Sequence, residues 1–174
     1  MSSIITISEF VNFEHLPFDN REDVENKMKT AIENAELDLQ KVLGSDLFFD
    51  IKSNKATPSY SDLLEGSTFF KNGYEYSHNG IKSVLSKYTL SRYVYALNSN
   101  YTPFGLHERI GENSQNVNFS SIKEQSKQAQ IDAGDLYDMV QLYLEANSSQ
   151  FTAYNSSNVD GLGPLSNGFT FKLL

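Results

Sequence analysis

The spacing of apolar residues between positions 20 and 43 constrains the fold more than any other feature of the chain. These residues recur at steps of three and four, as Val24, Met28, Ala31, Ile32, Ala35, Leu39, Val42 and Leu43. Such spacing places them on one face of an α-helix, which must be buried against other elements. Gly44 follows as a stop signal, and Asp19 or Asn20 is positioned to cap the start. The sequence therefore predicts a long amphipathic helix over about 20–43.

Two later segments show the same helical period. Ile81, Val84 and Leu85 share a face in the segment 81–98, and a comparable stripe runs through 121–147. Ser121 and Glu124 have the spacing of a capping box at the start of the second segment. We therefore expect a mainly α fold, a helical bundle with two or three long helices. The predicted helical core domain spans residues 1–147.

Near residues 67–78 the apolar residues no longer follow the helical spacing, and the pattern predicts a small β-hairpin. Two short runs rich in aromatic residues flank Asn72-Gly73, a pair that readily adopts the positive φ angles of a type I′ turn. A hairpin of this size is not stable alone. It must lie on the helices or on a neighbouring subunit.

Two short helical pieces are predicted before the hairpin, an amphipathic one from Asp46 to Lys52 and a turn from Tyr60 to Glu65. The segments 99–119 and 148–174 are polar and are predicted to lack helices. Residues 99–119 form a long connection without regular structure, which is often a functional or partner-ordered feature. Residues 148–174 are rich in Ser, Asn and Gly and are predicted to form an extended C-terminal arm. Within that arm Phe169, Phe171 and Leu173 alternate with polar residues in the pattern of a strand. Such a strand can add to an exposed sheet edge, and the hairpin of the same or an adjacent subunit is the candidate edge.

Charge is unevenly distributed along the chain. The net charge is -8, and residues 1–43 hold four basic and nine acidic side chains, a net of -5. Residues 80–100 carry Lys82, Lys87 and Arg92 and no acid. An acidic balance disfavours dedicated DNA binding, which relies on a basic surface. We expect the acidic and basic segments to neighbour each other within the fold or between subunits; a local patch facing DNA or a partner is the alternative.

Candidates for catalytic or metal chemistry are few. The chain has no cysteine, which excludes thiolate sites and disulfides. His15, His78 and His107 are far apart in sequence and have no partner at metal-ligand spacing, so no zinc site is predicted. The glycine-rich run 161–164 lacks the Gly-Lys-Ser/Thr ending of a phosphate-binding loop. We predict no catalytic residue, no cofactor and no metal site, and therefore not an enzyme.

One acidic pattern leaves an alternative open. Asp132, Asp135 and Asp138 recur every three residues in the third predicted helix. They could form a divalent-metal face of a hydrolase, but a solvated polar face opposite Leu136 and Val140 explains the same pattern. The solvated face is the favoured interpretation.

Localisation follows from what the sequence lacks. No stretch approaches the roughly 18 apolar residues needed for a membrane-spanning helix, and residues 1–6 have neither a basic leader nor a long apolar core. We therefore expect no membrane partner and no secretory signal.

A series of segments containing glycine, leucine and aromatic residues follows the acidic first helix. In chain order they are Leu43-Gly44, Leu63-Leu64-Glu65-Gly66, Asn79-Gly80-Ile81-Lys82, Ser91-Arg92-Tyr93, Thr102-Pro103-Phe104-Gly105-Leu106 and Leu142-Tyr143-Leu144-Glu145-Ala146-Asn147. Over about residues 20–155 this order resembles small head-tail connector proteins (head completion or adaptor proteins) encoded by tailed bacteriophages of Bacteroidetes-type hosts.

The resemblance implies a structural virion subunit. Its copies would form a homo-oligomeric ring between portal and tail, contacting the portal protein and tail or further connector proteins. Packaged DNA would pass through without specific binding, since an acidic lining repels the phosphate backbone. The subunit would reside in the host cytoplasm before assembly and at the head-tail interface of the virion afterwards.

We place the subunit or partner interface on the two extended segments. The residues concerned are Thr102, Phe104, Gly105, Phe169, Phe171 and Leu173. The alternative function is a small cytoplasmic module that binds proteins or has a regulatory role.

Overall fold

The computed structural model describes residues 3–17, 21–102, 105–108 and 119–154, with backbone alone at 98–102 and 105–108. Its helices are α1 (Ile7–Phe13), α2 (Glu22–Leu43), α3 (Ser45–Asn54), α4 (Pro58–Glu65), α5 (Gly80–Asn98) and α6 (Phe119–Ala146). Its strands are β1 (Ser67–Lys71), β2 (Tyr74–His78), β3 (Ser99–Thr102) and β4 (Gly105–Glu108). The fold is mainly α, a helical bundle with a small hairpin, as the sequence predicted.

Helix α5 is the centre of the bundle. It packs against α2 on one side and α6 on the other, and it also contacts α1 and α4. Ile81, Val84 and Leu85 are buried there, and Ser86 and Thr89 are buried with them. A buried helix can accommodate such small hydroxyl side chains because each hydroxyl group finds a hydrogen-bond partner. The Thr89 hydroxyl donates to the Leu85 carbonyl over 2.8 Å.

The long outer helices are joined across the core by polar and aromatic contacts. The Tyr137 hydroxyl on α6 donates to the Val42 carbonyl near the end of α2 over 2.7 Å. Phe10 of α1 meets Tyr93 of α5 edge-to-face with ring centroids 5.7 Å apart. These contacts join α2 to α6 and α1 to α5, and all four helices contribute to one hydrophobic core.

The predicted hairpin is confirmed with its turn. Strands β1 and β2 pair antiparallel with Lys71 opposite Tyr74, and the two turn residues Asn72 and Gly73 have φ angles of 53° and 84°. Positive φ at both central positions is the type I′ geometry that matches the twist of the strands. Phe69 on the inner face is buried against the helices.

Two glycines allow the base of the hairpin to approach its neighbours. Gly66 precedes β1 at φ 99°, and Gly80 begins α5 at φ 77°. A Cβ atom on Gly80 would lie 2.6 Å from the Gly66 nitrogen and would also overlap the Leu64 carbonyl oxygen. The chain can enter and leave the hairpin at this point only because neither residue carries a side chain.

The connection 99–119 differs from its prediction. Strands β3 and β4 form a second antiparallel hairpin in which Ser99 lies opposite Glu108 and Thr102 lies opposite Gly105. The sequence signal was weak because the strands are four residues long and mostly polar. The prediction of no regular structure was wrong for this part of the connection.

Helix starts differ from the sequence expectations as well. Helix α2 begins after Arg21, whose extended backbone serves as the N-cap without a side-chain hydrogen bond, so neither Asp19 nor Asn20 is the cap. Ser121 is inside α6, which begins two residues earlier, so its spacing to Glu124 does not mark the helix start. The sequence offered several candidate caps near each start and could not choose among them.

The core extends beyond the predicted boundary at residue 147. Phe151 and Tyr154 are both buried in the main hydrophobic cluster, and Phe151 meets Tyr60 of α4 edge-to-face at 5.6 Å. Their spacing falls outside the long helical stripe, so periodicity could not assign them to the core. The arm can begin only after residue 154, and residues 155–174 lie outside the described part. Within the described residues, no helix has the length and apolar composition needed to cross a membrane.

Three glycine-to-alanine substitutions test the closure of the hairpin base. Gly80→Ala should lower the free energy of unfolding by about 3 kcal/mol or more, because a strained φ is combined with a backbone overlap. Gly73→Ala has a similar φ in open space and should cost about 1 kcal/mol. Gly134→Ala, in open space within α6, should stabilise by about 0.5–1 kcal/mol. Urea denaturation measures all three; equal losses for Gly80→Ala and Gly73→Ala would contradict the packing argument.

Candidate interaction surface

The three cations of α5 each meet a carboxylate from another element. Lys82 Nζ donates to Glu9 Oε1 of α1 over 2.6 Å and also pairs with Glu65 of α4. The other two pairs, with N···O distances of 2.7 Å and 2.6 Å, are Lys87–Glu14 and Arg92–Asp38. The expectation that acidic and basic segments are neighbours within the fold is therefore confirmed. The basic segment is used to hold the helices together.

Lys82 is held in a partly buried network. Its side chain is 14% exposed and lies between the two carboxylates. Burial alone would lower the pKa of Lys82, but hydrogen bonds to Glu65 and Glu9 raise it above its ordinary value. Burial likewise favours a higher pKa for Glu9, but hydrogen bonds from Lys82 and from Thr6 lower its pKa overall. Both groups are thus held in their charged forms.

The position of Glu9 is set by local sequence. Thr6 is the N-cap of α1, its hydroxyl accepts from the Glu9 amide, and the Glu9 carboxylate accepts from the Thr6 amide over 2.7 Å. This capping box fixes the carboxylate at the start of the helix, where the helix dipole favours negative charge. Sequence reasoning missed α1 and Glu9, although the Thr-x-x-Glu spacing was the signal that could have revealed both.

Glu14 occupies the floor of a cleft between α1, α5 and α6. Its side chain is only 5% exposed, and it accepts from Ser86 and from Lys87 over 2.7 Å each. The cleft has a volume of about 440 Å³, and Asp132 and Asp135 contribute to its wall. Glu14 and Lys87 pair with each other in this cleft. The carboxylates of Asp132 and Asp135 make the facing wall acidic.

The acidic triplet of α6 does not form a compact metal site in the described region. Asp132 accepts a hydrogen bond from Gln128 over 2.8 Å, and Asp135 and Asp138 are exposed. Among residues 3–17, 21–102, 105–108 and 119–154, no group of three or more His, Asp or Glu side chains is arranged to hold a metal ion. The geometry there agrees with the solvated polar face.

A serine and a histidine meet at the base of the first hairpin. Ser67 Oγ lies 3.1 Å from His78 Nε2, while His78 Nδ1 accepts from the Gly80 amide over 3.2 Å. Because Nδ1 is an acceptor, the neutral ring carries its proton on Nε2 and donates to Ser67. Burial lowers the pKa of His78 despite the opposing effect of Asp62, which favours this neutral form. The histidine therefore cannot accept the serine proton, and the pair has a structural role.

The first hairpin presents aromatic side chains to solvent. Its inner face packs on α6, since Phe69 meets Tyr143 edge-to-face with ring centroids 5.5 Å apart and Lys71 pairs with Glu145 over 2.6 Å. Phe70 on the outer face is 72% exposed, and Tyr74 beside the turn is 70% exposed. By the strand register the two rings lie on opposite faces of the hairpin, both close to its turn. Exposed aromatic rings of this size are suited to contacts with another protein. We call Phe70 and Tyr74 the aromatic tip.

The residues predicted for the interface are only partly described. Thr102 and Gly105 lie opposite each other at the end of the second hairpin, so the structure does bring these two together. Phe104, Phe169, Phe171 and Leu173 lie outside the described residues. The aromatic tip was not among the predicted interface residues.

The three histidines lie on different parts of the fold. His15 lies exposed in the turn after α1, His78 ends β2 and His107 lies in β4.

The fold and surface define a helical-core domain carrying two small hairpins, with internally paired charges and an exposed aromatic tip. Residues 39–160 match the family model described as a family of unknown function (DUF6712), and the chain belongs to this family. The matched part runs from the end of α2 through both hairpins and all of α6. Comparison with curated proteins gives no match, and comparison with solved structures gives none either.

Replacing Lys82 tests the charge network that fastens α5. Lys82→Met should lower the free energy of unfolding by about 1–3 kcal/mol, because Glu9 and Glu65 lose their shared partner in a partly buried site. Lys41→Met is the control: Lys41 is 75% exposed and bonds only weakly to Asp38, so the cost should be below about 0.5 kcal/mol. Chemical denaturation at neutral pH measures both, and equal effects would contradict the network's role.

The same network predicts a pH dependence. Because the pKa of Glu9 is lowered in the folded state, its stabilising effect is present above the ordinary value of 4.5 and is lost as pH falls through the folded-state pKa. Stability should therefore fall on acidification from about pH 5, and Lys82→Met should show a smaller fall over that window. An identical pH profile for the two proteins, measured by thermal unfolding from pH 6 to pH 3, would refute this assignment.

Proposed function

We propose that this chain is a non-enzymatic structural subunit of a tailed-bacteriophage virion, a head-tail connector that forms a ring between portal and tail. The observation that carries the proposal is the internal neutralisation of Lys82, Lys87 and Arg92 by acids of the same chain. The cations of the basic segment serve the fold, and the chain's net charge of -8 then favours an acidic outer surface. Such a surface lets a DNA duplex pass because it repels the phosphate backbone.

The surface features support assembly with other proteins. The aromatic tip projects from the helical core with both rings largely exposed, which favours burial against a neighbouring subunit or partner. The second hairpin ends at Thr102 and Gly105 and offers another small projection. Together with Phe104 and the arm residues Phe169, Phe171 and Leu173, these segments form the proposed contacts within the ring and to portal and tail proteins.

The subunit would be present in the host cytoplasm before assembly and at the head-tail interface of the virion afterwards, with no cofactor and no membrane contact. A second candidate function is a small cytoplasmic protein-binding or regulatory module. The aromatic tip favours it equally, because an exposed pair of rings also suits a single binary partner.

Assembly in solution distinguishes the two functions. We expect the purified chain, alone or with a portal protein of the resembled phage group, to form closed rings visible by electron microscopy and of matching mass in sedimentation. Replacing both rings of the aromatic tip, as Phe70→Ser with Tyr74→Ser, should reduce ring formation at least tenfold. Leu37→Ser is the control, because Leu37 is an exposed apolar side chain of α2, away from the hairpin. A chain that stays monomeric with and without portal protein would contradict the connector function and favour the binary module.

DNA binding provides an independent check. Because the α5 cations are paired within the fold, the chain should bind duplex DNA only weakly at about 0.15 M salt, with dissociation constants well above 1 μM. A mobility-shift titration over a range of salt concentrations measures this. Sub-micromolar affinity that falls steeply with added salt would show a phosphate-binding surface and contradict the proposal.

A further inference from the structure

The first hairpin has a free edge with a defined chemical pattern. Within the described residues its sheet has two strands. Because the turn has two residues, Lys71 and Tyr74 form a hydrogen-bonded pair, and bonded pairs then alternate along the hairpin. The backbone groups of Glu75 and Ser77 on β2 therefore point away from β1. An unpaired edge of this kind accepts another strand.

The two faces of β2 differ in polarity. Tyr74 and Tyr76 lie on the inner face with Phe69, and Glu75 and Ser77 lie exposed on the outer face. A strand added at this edge must bring apolar side chains inward and polar side chains outward. Its outer face should also carry a cation opposite Glu75.

One segment of this chain has the required pattern. Residues 168–174 read Gly-Phe-Thr-Phe-Lys-Leu-Leu, with Phe171 and Leu173 alternating with Thr170 and Lys172. Antiparallel pairing with Lys172 opposite Glu75 places Phe171 beside Tyr76, Leu173 beside Tyr74 and Thr170 beside Ser77. Both outer pairs are then polar and both inner pairs are apolar. The outer face of β1 offers Thr68 and Phe70, with no acid for Lys172, so charge selects the β2 edge.

The described chain ends close to the base of this edge. The ring of His78, the last residue of β2, lies against the ring of Tyr143 with centroids 4.3 Å apart. The ring centroids of Tyr143 and Phe151 are 5.9 Å apart. Tyr154, three residues later, is buried in the same core. A coil with the length of segment 155–167 spans about 20 Å, which exceeds the ring-centroid separations of 4.3 Å and 5.9 Å that link His78 to Phe151 through Tyr143. An antiparallel strand would enter at this base and run towards the turn.

We infer that residues 168–174 pair with the β2 edge of their own chain and convert the hairpin into a three-stranded sheet. Because segment 155–167 is short, the β2 edge of the same chain is present at a high effective concentration for residues 168–174, which favours pairing within the chain. The inference goes beyond the proposed function and does not depend on it: it concerns the free chain, in which Phe171 and Leu173 pack on their own hairpin before any contact between copies forms. In a ring the same pairing is available between neighbours, since every copy carries both the strand and the edge.

Hydrogen exchange at single amides of the full chain tests the inference. In a monomeric sample, the Glu75 and Ser77 amides should exchange slowly, and Phe171→Asn should speed both at least tenfold. Thr170→Asn, one position away on the opposite face, is the matched control and should change the rates less than threefold. Equal rates in the unaltered chain and Phe171→Asn would overturn the inference. Slow exchange at Thr68 and Phe70 instead would place the strand on the wrong edge and also overturn it.

A charge exchange tests the register. Lys172→Glu should speed exchange at Glu75, and the double variant Glu75→Lys with Lys172→Glu should restore slow exchange. Failure of the double variant to restore it would contradict the pairing of these two positions. Protection that grows with protein concentration, together with a dimeric mass in sedimentation, would show pairing between copies and overturn the assignment to the same chain.

Discussion

The fold depends on α5 and on the carboxylates that fasten it. This helix lies between α2 and α6 and presents cations to three other helices, through Lys82, Lys87 and Arg92. Ion pairs exposed to water contribute little to the free energy of folding. Lys82 and Glu14, however, are largely buried, and their charged groups also form hydrogen bonds. The carboxylates that pair with the α5 cations come from α1 and its C-terminal end, α2 and α4. These ion pairs, together with the apolar packing, therefore specify which helices neighbour α5.

The first hairpin is supported by the start of α5 at its base and by α6 along its inner face. It is too small to be stable alone, and it is held by Gly66 and Gly80 at its base, by His78 stacked on Tyr143, and by Lys71 paired with Glu145. Those contacts all face the helices, so the outer face and the turn remain exposed. The surface proposed for assembly is thus a consequence of how the hairpin is anchored.

The sequence predicted the long helices and the first hairpin because their signals are local. Apolar spacing marked α2, α5 and α6, and Asn72-Gly73 marked the turn. The elements that it missed are short or depend on tertiary contacts. Strands β3 and β4 lack an alternating pattern, and the burial of Phe151 depends on Tyr60, far away in sequence. The acidic partners of α5 were expected only in general terms, since spacing along a chain does not identify which distant carboxylate meets which lysine.

We propose that this acidic helical domain, with the cations of α5 paired internally and its aromatic tip exposed, serves as a structural part of a virion. The most direct measurement is quantitative mass spectrometry of purified virions produced from a genome carrying this sequence, followed by electron cryomicroscopy of the head-tail junction. We expect several copies per virion and a ring beneath the portal with the aromatic tip at a contact between proteins. Absence of the chain from purified, infectious virions would contradict it.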